Sequence, residues 1–191
     1  MAAPELTFRL IDGRQAAAQT AELQELHAAV YAGTARRRAD GTDDDPGVFA
    51  GRFRVQSRQP GFALAEARHG GYLVGYAAGM PLRPSTSWWR ELTTPVPDDV
   101  IAEHPGRTFA LVELLVRASW RRQGIGRTLH DLLLRNRPEE RATLIVSPAA
   151  SAAQTALQNW GWSKIARTRA PGPGAPVADV LVTNLPYVHP Y

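Results

Sequence analysis

Seven consecutive residues, Arg121-Arg122-Gln123-Gly124-Ile125-Gly126-Arg127, have the composition of an anion-binding turn. They follow an apolar run, Thr108–Arg117, and open a helical pattern, so they sit where a strand hands over to a helix N-terminus. Such a terminus has backbone N–H groups without partners and carries partial positive charge. Glycines remove the side chains that would block close approach, and guanidinium groups add counter-charge. Together these parts suit a diphosphate. The glycines alone would fit an ordinary strand–turn–helix joint with a basic surface. The pattern lacks the third glycine of a dinucleotide fingerprint, and no G-x-x-x-x-G-K-[ST] loop occurs anywhere.

Two carboxylates are candidates for proton transfer. Glu113 is the ionisable residue in the middle of the apolar run, and a carboxylate there could accept a proton directly or through water. Its competing role is to point to solvent or pair with an arginine. Glu66, in an earlier strand, is the reserve. His27, His69, His104, His130 and His189 are dispersed without an H-x-x-x-H spacing, so no metal site is expected. No cysteine is present, which excludes thiolate nucleophiles, disulfides and thiolate metal sites, and no G-x-S-x-G elbow occurs.

The elements that must position these groups follow from periodicity. Leu6–Ile11 alternates and reads as a strand; Ala16–Tyr31 carries Leu23, Leu26 and Val30 at helical spacing. Thr34–Asp45 is polar, with Arg36–Arg38 and Asp43–Asp45, and reads as a loop. Pro46 opens a helix to about Gln59. Gly61–Ala67 and Gly71–Met80 form a hairpin around Arg68-His69-Gly70. Pro81–Arg107 holds five prolines and Trp88-Trp89, and reads as an irregular insertion with a helical turn near Asp98–Glu103. Then come the strand Thr108–Arg117, a helix Gly124–Arg137 ended by Pro138, a strand Thr143–Ser147 and a helix Ala149–Trp160 stopped by Gly161. Two closing strands, Trp162–Arg169 and Val177–Thr183, flank a loop at Ala170–Pro176. The order is that of one mixed α/β domain spanning 1–191.

Composition sets wider bounds. The chain has 191 residues, 44% hydrophobic and 21% charged, enough to bury a core unaided. The N-terminal residues lack the basic flank and apolar core of a secretory signal, and no run approaches the ~18 apolar residues of a membrane span, so a cytoplasmic protein is expected. The net charge of +4 suits a phosphorylated ligand; nucleic-acid binding is not expected.

The strand, basic turn and helix resemble motif A of the GNAT N-acetyltransferases, whose signature is [QR]-x-x-G-x-[GA]. Arg121-x-x-Gly124-x-Gly126 matches it in full, preceded by the aromatic Trp120. Thr143–Ser147 with Ala149–Trp162 resembles motif B, ending in Gly161-Trp162. The resemblance implies a mostly antiparallel sheet of about seven strands flanked by about four helices, with strands four and five splayed. It implies acetyl-CoA as acyl donor. Its pantetheine arm would lie along Leu114, Leu115 and Val116, and its pyrophosphate on Arg121, Arg122, Gln123, Gly124, Ile125, Gly126 and Arg127. The acetyl group would pass to an amine, without an acyl-enzyme. The acceptor side would include Tyr31, Phe49, Trp88, Trp89 and Pro171–Pro176; the Trp pair could equally cover the core or form a homodimer contact. Two positions depart from the family. Its Tyr general acid falls at Leu157 and its frequent Asn at about Ala150, so another donor, water or an unaided thiolate is required. An inactive acyl-CoA-binding sensor is the alternative that these two residues raise.

Overall fold

A computed structural model describes residues 5–32, 46–169 and 176–186. Thr34–Asp45, including Arg36–Arg38 and Asp43–Asp45, and most of the Ala170–Pro176 loop lie outside the described residues. The strands are β1 Leu6–Asp12, β2 Ala63–His69, β3 Tyr72–Pro81, β4 Thr108–Val116, β5 Arg141–Val146, β6 Ser163–Arg169 and β7 Val177–Asn184. The helices are α1 Gly13–Ala17, α2 Thr20–Tyr31, α3 Pro46–Ser57, α4 Asp98–Ile101, α5 Ile125–Leu134 and α6 Ser151–Asn159. The hydrogen-bonded order is β1-β2-β3-β4-β5-β7-β6, seven strands in a mixed, mostly antiparallel sheet as expected. No helix among the described residues is long and apolar enough to cross a membrane.

Contacts divide the chain into two compact units. Among the described residues, the first takes in 5–32, 46–80 and 111–135; the second takes in 81–110, 136–169 and 176–186. In the first, β1 runs antiparallel to β2 from Leu6↔His69 to Asp12↔Ala63, and β2 runs antiparallel to β3. The core here is Ile11, Leu23, Leu26, Phe49, Phe53, Leu64, Tyr76 and Leu115, drawn from β1–β4, α2 and α3. In the second, β4 pairs in parallel with β5 over only three residues, Thr108–Ala110 with Arg141–Thr143. β5 and β6 both flank β7 in antiparallel fashion.

The helix expected over Ala16–Tyr31 is two helices. Asp12 caps α1: its carboxylate accepts from the Gln15 N–H at 2.8 Å, and the Gln15 side chain accepts from the Asp12 N–H at 3.1 Å. This reciprocal box starts the chain helical at Gly13, earlier than apolar spacing suggested. Gly13 is required there because a Cβ would stand 1.9 Å from the Ser57 carbonyl oxygen. With the short α4 inside the insertion, the helix count among the described residues is six rather than about four.

The hairpin turn begins two residues later than expected. Arg68 and His69 stay in β2, and Gly70 and Gly71 make the turn with φ of +57° and +87°. Consecutive left-handed residues match the strand twist of a two-residue hairpin, and glycine adopts them without steric cost. Helix α5 stops at Leu134, short of Arg137, because Arg135 is extended and Asn136 turns left-handed at φ +60°.

The Pro81–Arg107 insertion is irregular but tied down. Glu91–Thr94 runs along the outer edge of β6: the Thr93 N–H donates to the Arg167 carbonyl at 2.8 Å, and the Arg169 N–H to the Glu91 carbonyl at 3.1 Å. That satisfies edge groups which would otherwise invite another strand. Further along, the buried Glu103 carboxylate accepts from Trp89 Nε1 at 2.9 Å, Thr108 Oγ1 at 2.8 Å and Arg141 at 3.1 Å.

Candidate active site

The first unit carries the segment that the sequence singled out. β4 alternates at its end: Glu113 and Leu115 are buried, Leu114 and Val116 half-buried. Arg117 then turns the chain, its N–H donating to the Val74 carbonyl at 2.9 Å and its Nε to the Leu73 carbonyl at 2.9 Å. A 3-10 turn at Ala118–Trp120 leads into Arg121–Gly124. Arg122 has φ +59°, and Gly124, the N-cap of α5, has φ +79°. A left-handed cap is sterically easy only for glycine. A Cβ at Gly124 would meet nothing within 4 Å, so its open side faces empty space.

Among the described residues, the backbone N–H groups of Gln123, Gly124, Ile125 and Gly126 have no acceptor. Helix propagation begins with the Thr128 N–H on the Gly124 carbonyl at 3.0 Å. Ile125, 1% exposed, anchors this end of the helix in the core while Arg121–Gly124 stay exposed. The turn is therefore rigid at its base and open at its amides.

The arginines are partly committed elsewhere. Arg121 Nε donates to the Val116 carbonyl at 3.0 Å, tying the turn back to β4. Arg127 Nε donates to Asp131 Oδ2 at 2.8 Å, one turn along α5. Asp131 also meets His130 Nδ1 at 2.8 Å. Burial opposes its charge, but the hydrogen bonds from His130 and Arg127 outweigh that and hold its carboxyl below the ordinary aspartate value.

Both candidate carboxylates are engaged by arginine. Glu113 accepts from Arg52 of α3 at 2.8 Å, with side-chain exposures of 4% and 15%. Glu66 is buried between Arg9 at 2.5 Å and Arg68 at 3.2 Å. Arg68 in turn bonds Glu22 and Gln19, so Glu66 belongs to a lattice that ties β1, β2 and α2 together.

The structure brings Tyr31 and Phe49 together around His27, with ring centroids 4.8 and 4.5 Å away. Phe49 is a core residue, 1% exposed. Trp88 and Trp89 belong to the second unit. Trp89 is buried with its indole N–H on Glu103, and Trp88 is half-buried with its Nε1 donating to Thr143 Oγ1 at 3.3 Å.

At motif B, α6 ends in a wrapped C-terminus. The Trp162 N–H donates to the Leu157 carbonyl and the Gly161 N–H to the Gln158 carbonyl, both at 3.0 Å. Leu157 is 5% exposed, an apolar core side chain where the family carries a phenol. Ala150 caps α6 without any side-chain bond. Among the described residues no group of His, Asp and Glu could hold a metal.

Sequence reasoning missed Arg52. Its signal was available: Phe49, Arg52 and Phe53 fall at i, i+3 and i+4, which places the arginine beside the aromatic stripe of α3.

The Acetyltransferase (GNAT) family matches residues 21–160. No curated protein matches the sequence. Solved structures share the fold. The ribosomal-protein-S18-alanine N-acetyltransferase of Escherichia coli superposes with a TM-score of 0.64 at 13% identity, covering 95% of this chain and 94% of that one. An acetyltransferase from Salmonella typhimurium, solved with acetyl-CoA, gives 0.62 at 14%, covering 98% of both. Ard1 from Thermoplasma volcanium gives 0.60 at 12%, covering 94% and 97%. The family match spans most of the chain and includes both the cap at Gly124 and the C-terminus of α6, so this protein belongs to the GNAT acetyltransferase family.

Proposed function

We propose that this protein is an acetyl-CoA-dependent N-acetyltransferase that moves the acetyl group directly to an amine. The observation that carries the reading is the run of unpaired amides from Gln123 to Gly126, opened by a left-handed glycine with clear space before it. A diphosphate supplies the acceptors that these donors lack, and the helix dipole adds to its binding. The Salmonella typhimurium structure of the same fold holds acetyl-CoA, which supports the choice of ligand.

The coenzyme supplies an activated thioester; the rest is done by the chain. The amides of Gln123–Arg127 hold the diphosphate. The exposed guanidinium of Arg122 adds charge beside it. The backbone of Leu114–Val116 accepts the pantetheine arm in the manner of an added strand, and N–H groups near Leu115–Val116 stabilise negative charge on the acetyl oxygen. Glu113 takes the proton that the amine must lose to become a nucleophile. Leu157 donates no proton, so the leaving thiolate would take one from water or from another donor, such as a residue of Trp88–Thr94, or leave unaided. With no cysteine in the chain, attack on the thioester is direct.

The second reading, a sensor that binds acyl-CoA without turning it over, is favoured by the buried apolar Leu157 where a proton donor would stand. One experiment separates the two. Purified protein is incubated with acetyl-CoA and a panel of small amines, amino acids, peptides and proteins, and free thiol is followed. Amine-dependent thiol release is the expected result. Tight CoA binding with no release on any amine would establish the sensor, and absence of CoA binding would remove both readings.

A further inference from the structure

We infer that Arg52 is a positioning residue for proton transfer: it holds the Glu113 carboxylate in the orientation from which that group receives the amine's proton. This rests on the assignment of Glu113 as the proton acceptor. The two residues are 61 positions apart in sequence and meet at 2.8 Å, on α3 and in the middle of β4. Both side chains are largely withdrawn from water, at 15% and 4% exposure. Arg52 is braced from behind, its guanidinium carbon 5.7 Å from the Phe49 ring centroid, and Phe49 itself is locked between His27 and Phe53.

The energetics argue against a merely structural pair. Desolvating two charges costs as much as their attraction returns, and apolar replacements of equal volume are often neutral or stabilising. The neighbouring strand positions Leu111, Val112, Leu114, Leu115 and Val116 are all apolar, so a Leu or Met at 113 would suit the packing at least as well. What the pair supplies there that packing does not is a carboxyl oxygen held in one place. Glu66 differs: it has two guanidinium partners, and one of them, Arg68, extends into a network with Glu22 and Gln19, which serves to fasten elements. Glu113 directly precedes the Leu114–Val116 backbone assigned to the pantetheine arm, where a proton acceptor is of use.

A double-mutant cycle tests the inference. Arg52→Met, Glu113→Gln and the double variant are assayed with the best amine of the panel and radiolabelled acetyl-CoA, for sensitivity to slow turnover. Arg52→Met is expected to lower kcat about 10- to 100-fold, the scale of a misplaced catalytic group, with KM for acetyl-CoA unchanged within about twofold. In the Glu113→Gln background the same substitution should lower kcat less than about threefold, because nothing is left to position. Arg52→Lys should recover part of the loss in the first background only. If Arg52→Met costs as much in Glu113→Gln as in the parent, Arg52 acts independently and the inference fails. If Glu113→Gln itself leaves kcat intact, the assignment of the proton acceptor fails instead. Should Arg52→Met not fold, Arg52→Lys carries the same comparison: it keeps the charge but lacks the planar fork. The double variant leaves no buried charge unpaired.

Discussion

Adding one methyl group to Gly75 is expected to destabilise the protein, while adding the same group to Gly51 stabilises it. Gly75 is buried in β3, and an ideal Cβ there would stand 2.8 Å from the Leu115 carbonyl oxygen and 3.2 Å from both Leu129 Cδ1 and Val116 Cγ2. Carbon–oxygen contacts between strands settle at about 3.3–3.6 Å, so the carbonyl contact is too short by roughly 0.5 Å. The oxygen belongs to β4 backbone and cannot rotate away as a side chain would. Relief requires β3 and β4 to part. Overpacking of this kind costs about 1–3 kcal/mol. For a chain of this length each kcal/mol moves Tm by about 2–4 °C, giving a fall of roughly 2–12 °C for Gly75→Ala. Gly51 lies exposed in α3 with nothing within 4 Å of its Cβ. Alanine there lowers the backbone entropy lost on folding and should add about 0.5–1 kcal/mol, a rise of roughly 1–4 °C. Thermal melts by circular dichroism on both variants measure the two signs. A Gly75→Ala melt within a degree of the parent would refute the close approach of β3 to β4, and with it the account of why residue 75 has no side chain.

Gly124→Glu is expected to abolish CoA binding, measured by calorimetry, because a carboxylate would fill the space before the free amides; the left-handed φ adds about 1–2 kcal/mol of strain, and a melt checks that the variant is folded. Unchanged CoA affinity in the folded variant would remove the site. Glu22 supplies the pH test. Its hydrogen bonds from Arg68 hold its carboxyl below the ordinary value of 4.5 despite partial burial. A carboxyl with a depressed folded-state pKa contributes stability that is fully present above the unfolded value and is lost as pH falls through the folded one. The Tm gap between the parent and Glu22→Gln should therefore be constant from pH 7 to about 5 and close below about pH 4. A gap that persists unchanged at pH 3 would show that the pair is not ionic.

The strand order and the cap at Gly124 were legible because each rests on local chemistry. Alternating apolar residues mark β1, apolar runs mark β5 and, interrupted at Glu113, β4, and glycine at a basic strand–helix joint marks the left-handed cap of α5. Three features were not legible, each for a long-range reason. The start of the first helix at Gly13 depends on a residue without a Cβ standing against the Ser57 carbonyl, a contact 44 residues away in sequence. The seat of Trp89 depends on Glu103, Thr108 and Arg141 converging on one carboxylate. The partner of Glu113 depends on where α3 docks, and helical spacing shows which side of α3 Arg52 occupies but not which strand it meets.

The sequence presents the proposed anion site as glycines ringed by guanidinium groups, and two of those groups have other partners in the structure. Arg121 ties the turn to the end of β4 through the Val116 carbonyl, and Arg127 braces Asp131 within α5. Two of the three arginines therefore shape the turn, and in the proposed coenzyme reading Arg122, left-handed and exposed, would be the direct counter-charge. The distinction has a physical consequence. Amides fixed by a folded backbone are oriented before the ligand arrives, so little ordering entropy is lost on binding, whereas a long exposed arginine must give up its freedom to help. Binding that rests on backbone donors also tolerates exchange of the arginine side chains, provided the tether from Arg121 to β4 survives. In the proposed reading, the signature residue at 121 would then serve as the strut that ties the amide-bearing turn to β4 rather than as a hand on the phosphate.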